Sequence, residues 1–322
     1  MSSWQKELRV DPVPALLSSE NEAIKYFISH DLLDERVEDI KTLWKLPVAE
    51  KILRKQQSDG SWKYPGGKKH IRSQENYNQI ETYRNLGELV EKYRFTAKHE
   101  AIEKAAEFLF QFQTEEGDFR GIYGNQYATT YTPAIMELLI KSGYENDSHI
   151  LKGFDWLLSI KQNDGGWAIP IRTAGKKLDA LNSPDTIQPD KSKPFSHLVT
   201  GMVLRAFAAH HTYRKSDDAK KSGHLLASRL FKNDKYPDRQ NKNFWEKVSY
   251  PFWFTDIVSA LDSLSFIGFT RGDPQIDKAL EWLKNRQTEN GLFDLKIVRG
   301  GDKDSKYWIC LAVCRLFKRY YG

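Results

Sequence analysis

Asp256 is the carboxylate with the most unusual setting in this sequence: it follows Ser249-Tyr250-Pro251-Phe252-Trp253-Phe254-Thr255 and opens an apolar run that ends at Gly268. Two readings fit. Apolar surroundings raise a carboxyl pKa and suit it to general-acid work, whereas an Asp at a helix start caps the backbone there. His197 opens a second apolar run, through Ala209, and is either an acid–base partner or a cap neighbour and core residue. Aromatic side chains recur at comparable positions: Tyr77, Tyr83, Tyr131, Trp253, Tyr307 and Trp308. Their faces suit an apolar substrate or a developing positive charge, and as core filling they need neither role.

Other chemistries find less support. Cys310 and Cys314 lie four apart in the apolar run Tyr307 to Phe317, share a helix face and have no His nearby in sequence, so they read as reduced core residues. No metal and no cofactor are expected. Lys plus Arg number 49 against 43 Asp plus Glu, a net charge of +6. The basic stretch Lys232, Lys235, Arg239, Lys242 and Lys247 is interrupted by Asp234, Asp238 and Glu246, which describes a solvated face and no nucleic-acid partner. No apolar run approaches the roughly 20 residues of a membrane span, and the N-terminus has no signal-peptide core. A cytoplasmic protein with at most peripheral membrane contact is expected.

The elements that must position these residues are legible as a repeat. Ile52-Leu53-Arg54-Lys55-Gln56-Gln57-Ser58-Asp59-Gly60-Ser61-Trp62 recurs, with substitutions, at Phe108 to Phe119, Trp156 to Trp167 and Trp282 to Phe293. A degraded copy without Gln or Gly runs from Leu225 to Tyr236. Each copy ends an amphipathic helix: Gly supplies a left-handed stop, Gln reaches backbone groups at the helix end, and an aromatic ring folds back over it. Gly60, Gly117 and Gly165 are spaced to fit two helices of roughly 12–16 residues plus loops in each period. The helices before the signatures are amphipathic and predict an outer set. The more apolar runs between them, Glu81 to Tyr93, Tyr131 to Lys141, His197 to Ala209, Phe254 to Gly268 and Tyr307 to Phe317, predict an inner set. The expectation is one all-α domain over residues 1–322, with a helical extension at 1–47 and a long rim loop at 171–194. Its 9 Trp, 15 Tyr and 17 Phe exceed what a surface would use and call for a core or an apolar cavity.

The Gln, Asp-Gly and Trp pattern resembles the QW repeat of the prenyltransferase and squalene-oxidosqualene cyclase superfamily, from about Val48 to the end. The resemblance implies an α/α toroid, a closed ring of about five to six helical hairpins around an apolar cavity that takes a long isoprenoid ligand. Family chemistry is mostly missing: there is no Asp-x-Asp-Asp cluster, no zinc-binding Asp-x-Cys pair, and no Asp-rich magnesium motif. Asp217-Asp218 and Asp31 with Asp34-Glu35 read as surface charges. Where a toroid presents its inner-helix starts to the cavity, Asp256 would take the acid's place, with His197 as partner and the six aromatic residues as lining. Two other functions stay open. A carbohydrate-active enzyme would need a second acid, such as Asp304, facing Asp256 within about 5–10 Å. A non-catalytic scaffold would need neither.

Overall fold

The computed structural model describes residues 2–66, 76–298 and 302–322. Helices dominate it, in the order α1 (Ser3–Lys6), α2 (Val13–Leu17), α3 (Glu22–Phe27), α4 (Lys41–Trp44), α5 (Pro47–Leu53), α6 (Tyr77–Tyr93), α7 (Glu100–Phe110) and α8 (Tyr131–Leu139). There follow α9 (Ser148–Ser159), α10 (Pro170–Thr173), α11 (His197–Ala209), α12 (Asp217–Ser228), α13 (Ile257–Ile267), α14 (Pro274–Lys284) and α15 (Ser305–Tyr321). A two-residue parallel pair, Lys247–Val248 with Lys296–Ile297, is a small departure from the all-α expectation. The chain forms two compact units, Ile40–Tyr213 and the combination of Met1–Asp39 with Arg214–Gly322.

In the unit Ile40–Tyr213, α8 packs against α6 and α11. Every residue of α8 from Thr132 to Leu139 is buried, as is every residue of α11 from His197 to Ala208. The preceding helix α7 buries a stripe instead, Ala101, Ile102, Ala105, Ala106, Phe108 and Leu109, and exposes the rest. This is the inner and outer division that hydrophobic spacing predicts. In the other unit α14 buries Ile276, Ala279, Leu280 and Leu283, one face of a helix, while α13 and α15 are buried along most of their length.

The repeated signature has a constant geometry. Gln56 Nε2 donates to Gly60 O at 2.9 Å and to Ala101 O, in the first turn of α7, at 2.7 Å. Gln113 Nε2 donates in the same way to Gly117 O at 2.8 Å and His149 O at 2.7 Å. The amide therefore ties its own loop to the next outer helix, satisfying a carbonyl on each side. Gly60 and Gly117 have φ of 86° and 111°, and a Cβ there would lie 2.1 Å from Lys104 O or 2.4 Å from Lys152 O. Both the left-handed backbone and the close approach demand glycine. The aromatic residue is held from the opposite side: the backbone N–H groups of Trp62, Phe119 and Trp167 donate to the buried hydroxyls of Thr82, Thr132 and Thr200 at 3.0, 3.1 and 2.9 Å.

Two copies deviate for clear reasons. After Gln162 the following segment is the loop rather than a helix, and its Nε2 donates to Asp190 O and Lys193 O. The stretch 171–194 is further secured by Gln126, whose Oε1 accepts from Ile187 N at 3.0 Å while its Nε2 donates to Asp185 O at 2.8 Å. In the degraded copy the lid is not Tyr236 but Trp245, which is 1% exposed and donates from Nε1 to Lys232 O at 3.0 Å.

The last copy grips the beginning of the chain. Gln287 Nε2 donates to Gly291 O at 3.0 Å and Val10 O at 2.7 Å, and Val10 N returns a bond to Gln287 Oε1. Helices α1, α2 and α3 pack on α15. Residues 1–39 thus occupy, after the last repeat, the place that an outer helix takes after the earlier ones.

Candidate functional site

In the unit Ile40–Tyr213 the inner-helix starts carry a row of rings. Tyr77, the first residue of α6, is half-buried with its ring 4.6 Å from Tyr64. Tyr83, buried one and a half turns further on, meets Tyr131 edge-on at 5.7 Å, and Tyr131 meets Tyr123 at 5.6 Å. Tyr131 and Tyr123 remain half-buried, so the row runs from core to partly open surface. His197 is the first residue of α11, buried beside the cap Ser196.

Below the rings lies an ion pair that sequence reasoning missed. Arg205 of α11 and Glu137 of α8 are 4% and 2% exposed and form a salt bridge. Lys141 Nζ reaches Glu137 at 2.7 Å and Glu91 at 2.5 Å. Burial alone would lower the Arg205 pKa, but the Glu137 charge outweighs it and holds the guanidinium above its ordinary range. Burial would likewise raise Glu137, yet the charges of Arg205 and Lys141 hold its carboxyl below the usual carboxylate range. Burial pushes the Tyr83 phenol well up, against the opposing charge of Arg205. The signal was present: Glu137 and Arg205 are lone charges inside otherwise apolar runs, and such residues are rarely buried without a partner.

In the other unit Asp256 is fully buried and caps α13: its Oδ1 accepts from Val258 N and Ser259 N, both at 2.9 Å, while Ser259 Oγ accepts from Asp256 N at 2.9 Å. Two N–H donors at the helix start make this oxygen a helix cap. Trp253, half-buried, donates from its backbone N–H to Ser249 Oγ. Tyr307 is half-buried with Lys306 Nζ 4.8 Å from its ring. Trp308 is 1% exposed, stacked on Tyr250 at 5.7 Å and tilted against Phe27 at 6.0 Å, the environment of a core residue. Asp304 Oδ2 accepts from Asn21 Nδ2 at 2.8 Å, which ties the N-terminal segment to the start of α15. Cys310 and Cys314 are buried free thiols. Arg239 lies over the rings of Phe244 and Phe254, and Lys247 over Phe244, so part of the basic stretch packs on aromatic rings.

Residues 77–183, from the first residue of α6 to the middle of the long loop, match the family model of the squalene-hopene cyclase C-terminal domain. The match covers about a third of the chain, and that segment is similar to the C-terminal domain of squalene-hopene cyclases. Tyr77, Tyr83 and Tyr131 fall inside this terpenoid cyclase match; Asp256, His197, Trp253, Tyr307 and Trp308 fall outside it. Among solved structures, the chain is similar to an apo variant of the type II terpene cyclase MstE from Scytonema, 12% identical over 96% of this chain and 97% of that one, with a TM-score of 0.48. It is similar to a polysaccharide lyase at 16% identity over 86% of each chain, TM-score 0.47. An MstE variant in complex with its product merosterolic acid A is 13% identical over 87% of this chain and 96% of that one, TM-score 0.38. These likenesses are too distant to transfer a ligand or a reaction. No curated protein matches the chain by sequence.

Among the described residues no group of three His, Cys, Asp or Glu side chains converges in a way that would hold a metal ion. No described helix is long and apolar enough to cross a membrane.

Proposed function

We propose that this terpenoid cyclase-like protein holds a long isoprenoid ligand against the starts of its inner helices, its hairpins closing into an α/α toroid around the bound chain. What supports this best is the ring row Tyr83, Tyr131 and Tyr123, which lies inside the family match and opens toward solvent at its far end. Half-buried aromatic rings offer a hydrocarbon chain apolar contact without leaving a large patch exposed. Tyr77 adds to the same lining, and Trp253, Tyr307 and Trp308 are its proposed counterparts in the other unit.

Binding ranks ahead of cyclisation in this reading. Protonating an alkene requires a protonated acid, and Asp256 and His197, one in each unit, are the separate candidates; yet Asp256 Oδ1 is already committed as a helix cap to two backbone N–H groups. Incubation with geranylgeraniol, geranylgeranyl diphosphate and squalene tests the proposal, with calorimetry for binding and mass spectrometry for products. Saturable binding of at least one, weakened by Tyr131→Ala, is expected. Absence of both binding and turnover for all three refutes it. If a product forms, Asp256→Asn tests the acid role, because Asn caps a helix as well as Asp but cannot protonate the ligand.

A further inference from the structure

Two side chains at the starts of α6 and α8 have polar atoms that the fold leaves unused. Gln79 is 0% exposed, and neither its amide oxygen nor its amide nitrogen has a hydrogen-bond partner among the described residues. Thr129, two residues before α8, is 1% exposed with its hydroxyl in the same condition. The contrast with their neighbours is sharp, since the equally buried Thr82 and Thr132 hydroxyls each accept an N–H from a signature aromatic residue. A buried amide left without partners is destabilising by a few kcal/mol, a cost that natural folds rarely retain without use.

Both groups belong to segments that carry the tyrosine row. Gln79 and Tyr83 are four apart on α6 and share a face; Tyr83 touches Tyr131, and Thr129 lies two residues before Tyr131. The backbone closes over the Gln79 amide at Gly121, whose φ is 109° and where a Cβ would lie 3.0 Å from Gln79 Oε1. Gly121 is fixed in turn by Asn76 N, which donates to its carbonyl at 2.9 Å, and Asn76 Oδ1 caps α6 by accepting from Gln79 N at 3.1 Å. The main chain of Gln79 is therefore used while its side chain is held ready.

We propose that Gln79 and Thr129 recognise the polar end of the ligand, and that this end is a neutral hydroxyl or carbonyl group rather than a diphosphate. This rests on the isoprenoid reading above. An amide and a hydroxyl can each donate and accept, which matches a neutral head group in either role. A diphosphate would require cations, and in this unit the buried Arg205 is engaged with Glu137, Lys141 with Glu137 and Glu91, and Arg120, beside Gly121, with Glu116 and Asp118.

Calorimetric titration of the full chain with geranylgeraniol, geranylgeranyl diphosphate and squalene, in wild type, Gln79→Leu and Thr129→Val, tests this. Wild type is expected to prefer the alcohol. Gln79→Leu is expected to weaken alcohol binding about tenfold, the worth of one well-made hydrogen bond, while leaving squalene binding unchanged. Its Tm is expected to be no lower than that of wild type, because the lost amide makes no bond within the fold. Thr129→Val is nearly isosteric and should show the same selective loss if Gln79→Leu fails to fold. If all three ligands bind alike and neither variant alters the preference, the head-group inference falls while the isoprenoid reading stands. If none of the three binds, both fall. A lowered Tm with unchanged ligand preference assigns Gln79 a structural role and overturns the inference.

Discussion

The loops that end the outer helices and the starts of the inner helices are built on opposite plans. At the loops the same bonds recur, with Gln56, Gln113 and Gln287 each joining a glycine carbonyl of its own loop to the backbone of the segment that follows. The inner-helix starts differ: Asn76, Ser196 and Asp256 cap three of them, with different groups beside each cap, while α8 and α15 begin without a side-chain cap. Repetition marks what the architecture requires of every hairpin. Divergence marks where function can be placed, and also where single one-off interactions carry stability.

The largest effect is expected from the one-off feature, the buried pair. Glu137→Leu leaves Arg205 buried without its main counter-charge and should destabilise the protein by about 3–5 kcal/mol in chemical denaturation. The pair also predicts a pH dependence. Glu137 is held below the usual carboxylate range in the folded state by Arg205 and Lys141, so its contribution is present above the pH at which an ordinary glutamate ionises and is lost as the pH falls through its lowered folded-state pKa. In Glu137→Gln that part of the acid transition should vanish, and an unchanged acid limb would show that other carboxylates dominate it.

Next come the loop glycines. Gly117→Ala should cost at least about 3 kcal/mol, from left-handed strain together with collision at Lys152 O. The series sharpens the comparison, because a Cβ would meet backbone oxygen at 2.1 Å in Gly60, 2.4 Å in Gly117 and 2.9 Å in Gly291. Measured losses should follow that order; equal losses would mean that φ alone decides. Gln113→Leu removes two donated bonds and should cost about 1–3 kcal/mol by thermal or chemical unfolding. The smallest effect separates cap from acid. Asp256→Ala should cost about 1 kcal/mol and Asp256→Asn only a few tenths, and a large loss in the Asn variant would show that its charge, beyond its capping geometry, stabilises the fold.

The helices were legible because their signal is local. His197 to Ala209 was expected as a helix and is one, and Gly268 ends α13 as the sequence suggested, with φ of 105°. Asp256 was recognised as a helix cap or an acid, and its cap geometry is explicit in the fold. The Thr partners of the signature were not legible, since Thr82, Thr132 and Thr200 sit at different distances from their loops and look like ordinary helix residues. Trp245 stood outside the copy it serves, and only the folded loop brings it to Lys232. Glu137 and Arg205 are far apart in sequence, and nothing local pairs them.

By itself, the sequence determined the repeat, the inner and outer helix sets and the glycine stops, because helix periodicity and positive φ are properties of a few adjacent residues. Tertiary structure alone decided which charges pair, which threonines hold the signature aromatics, which buried amide is left without a bond, and that Val10 answers Gln287. Each of those depends on which distant segments meet, and burial turns such a meeting into an interaction strong enough to matter.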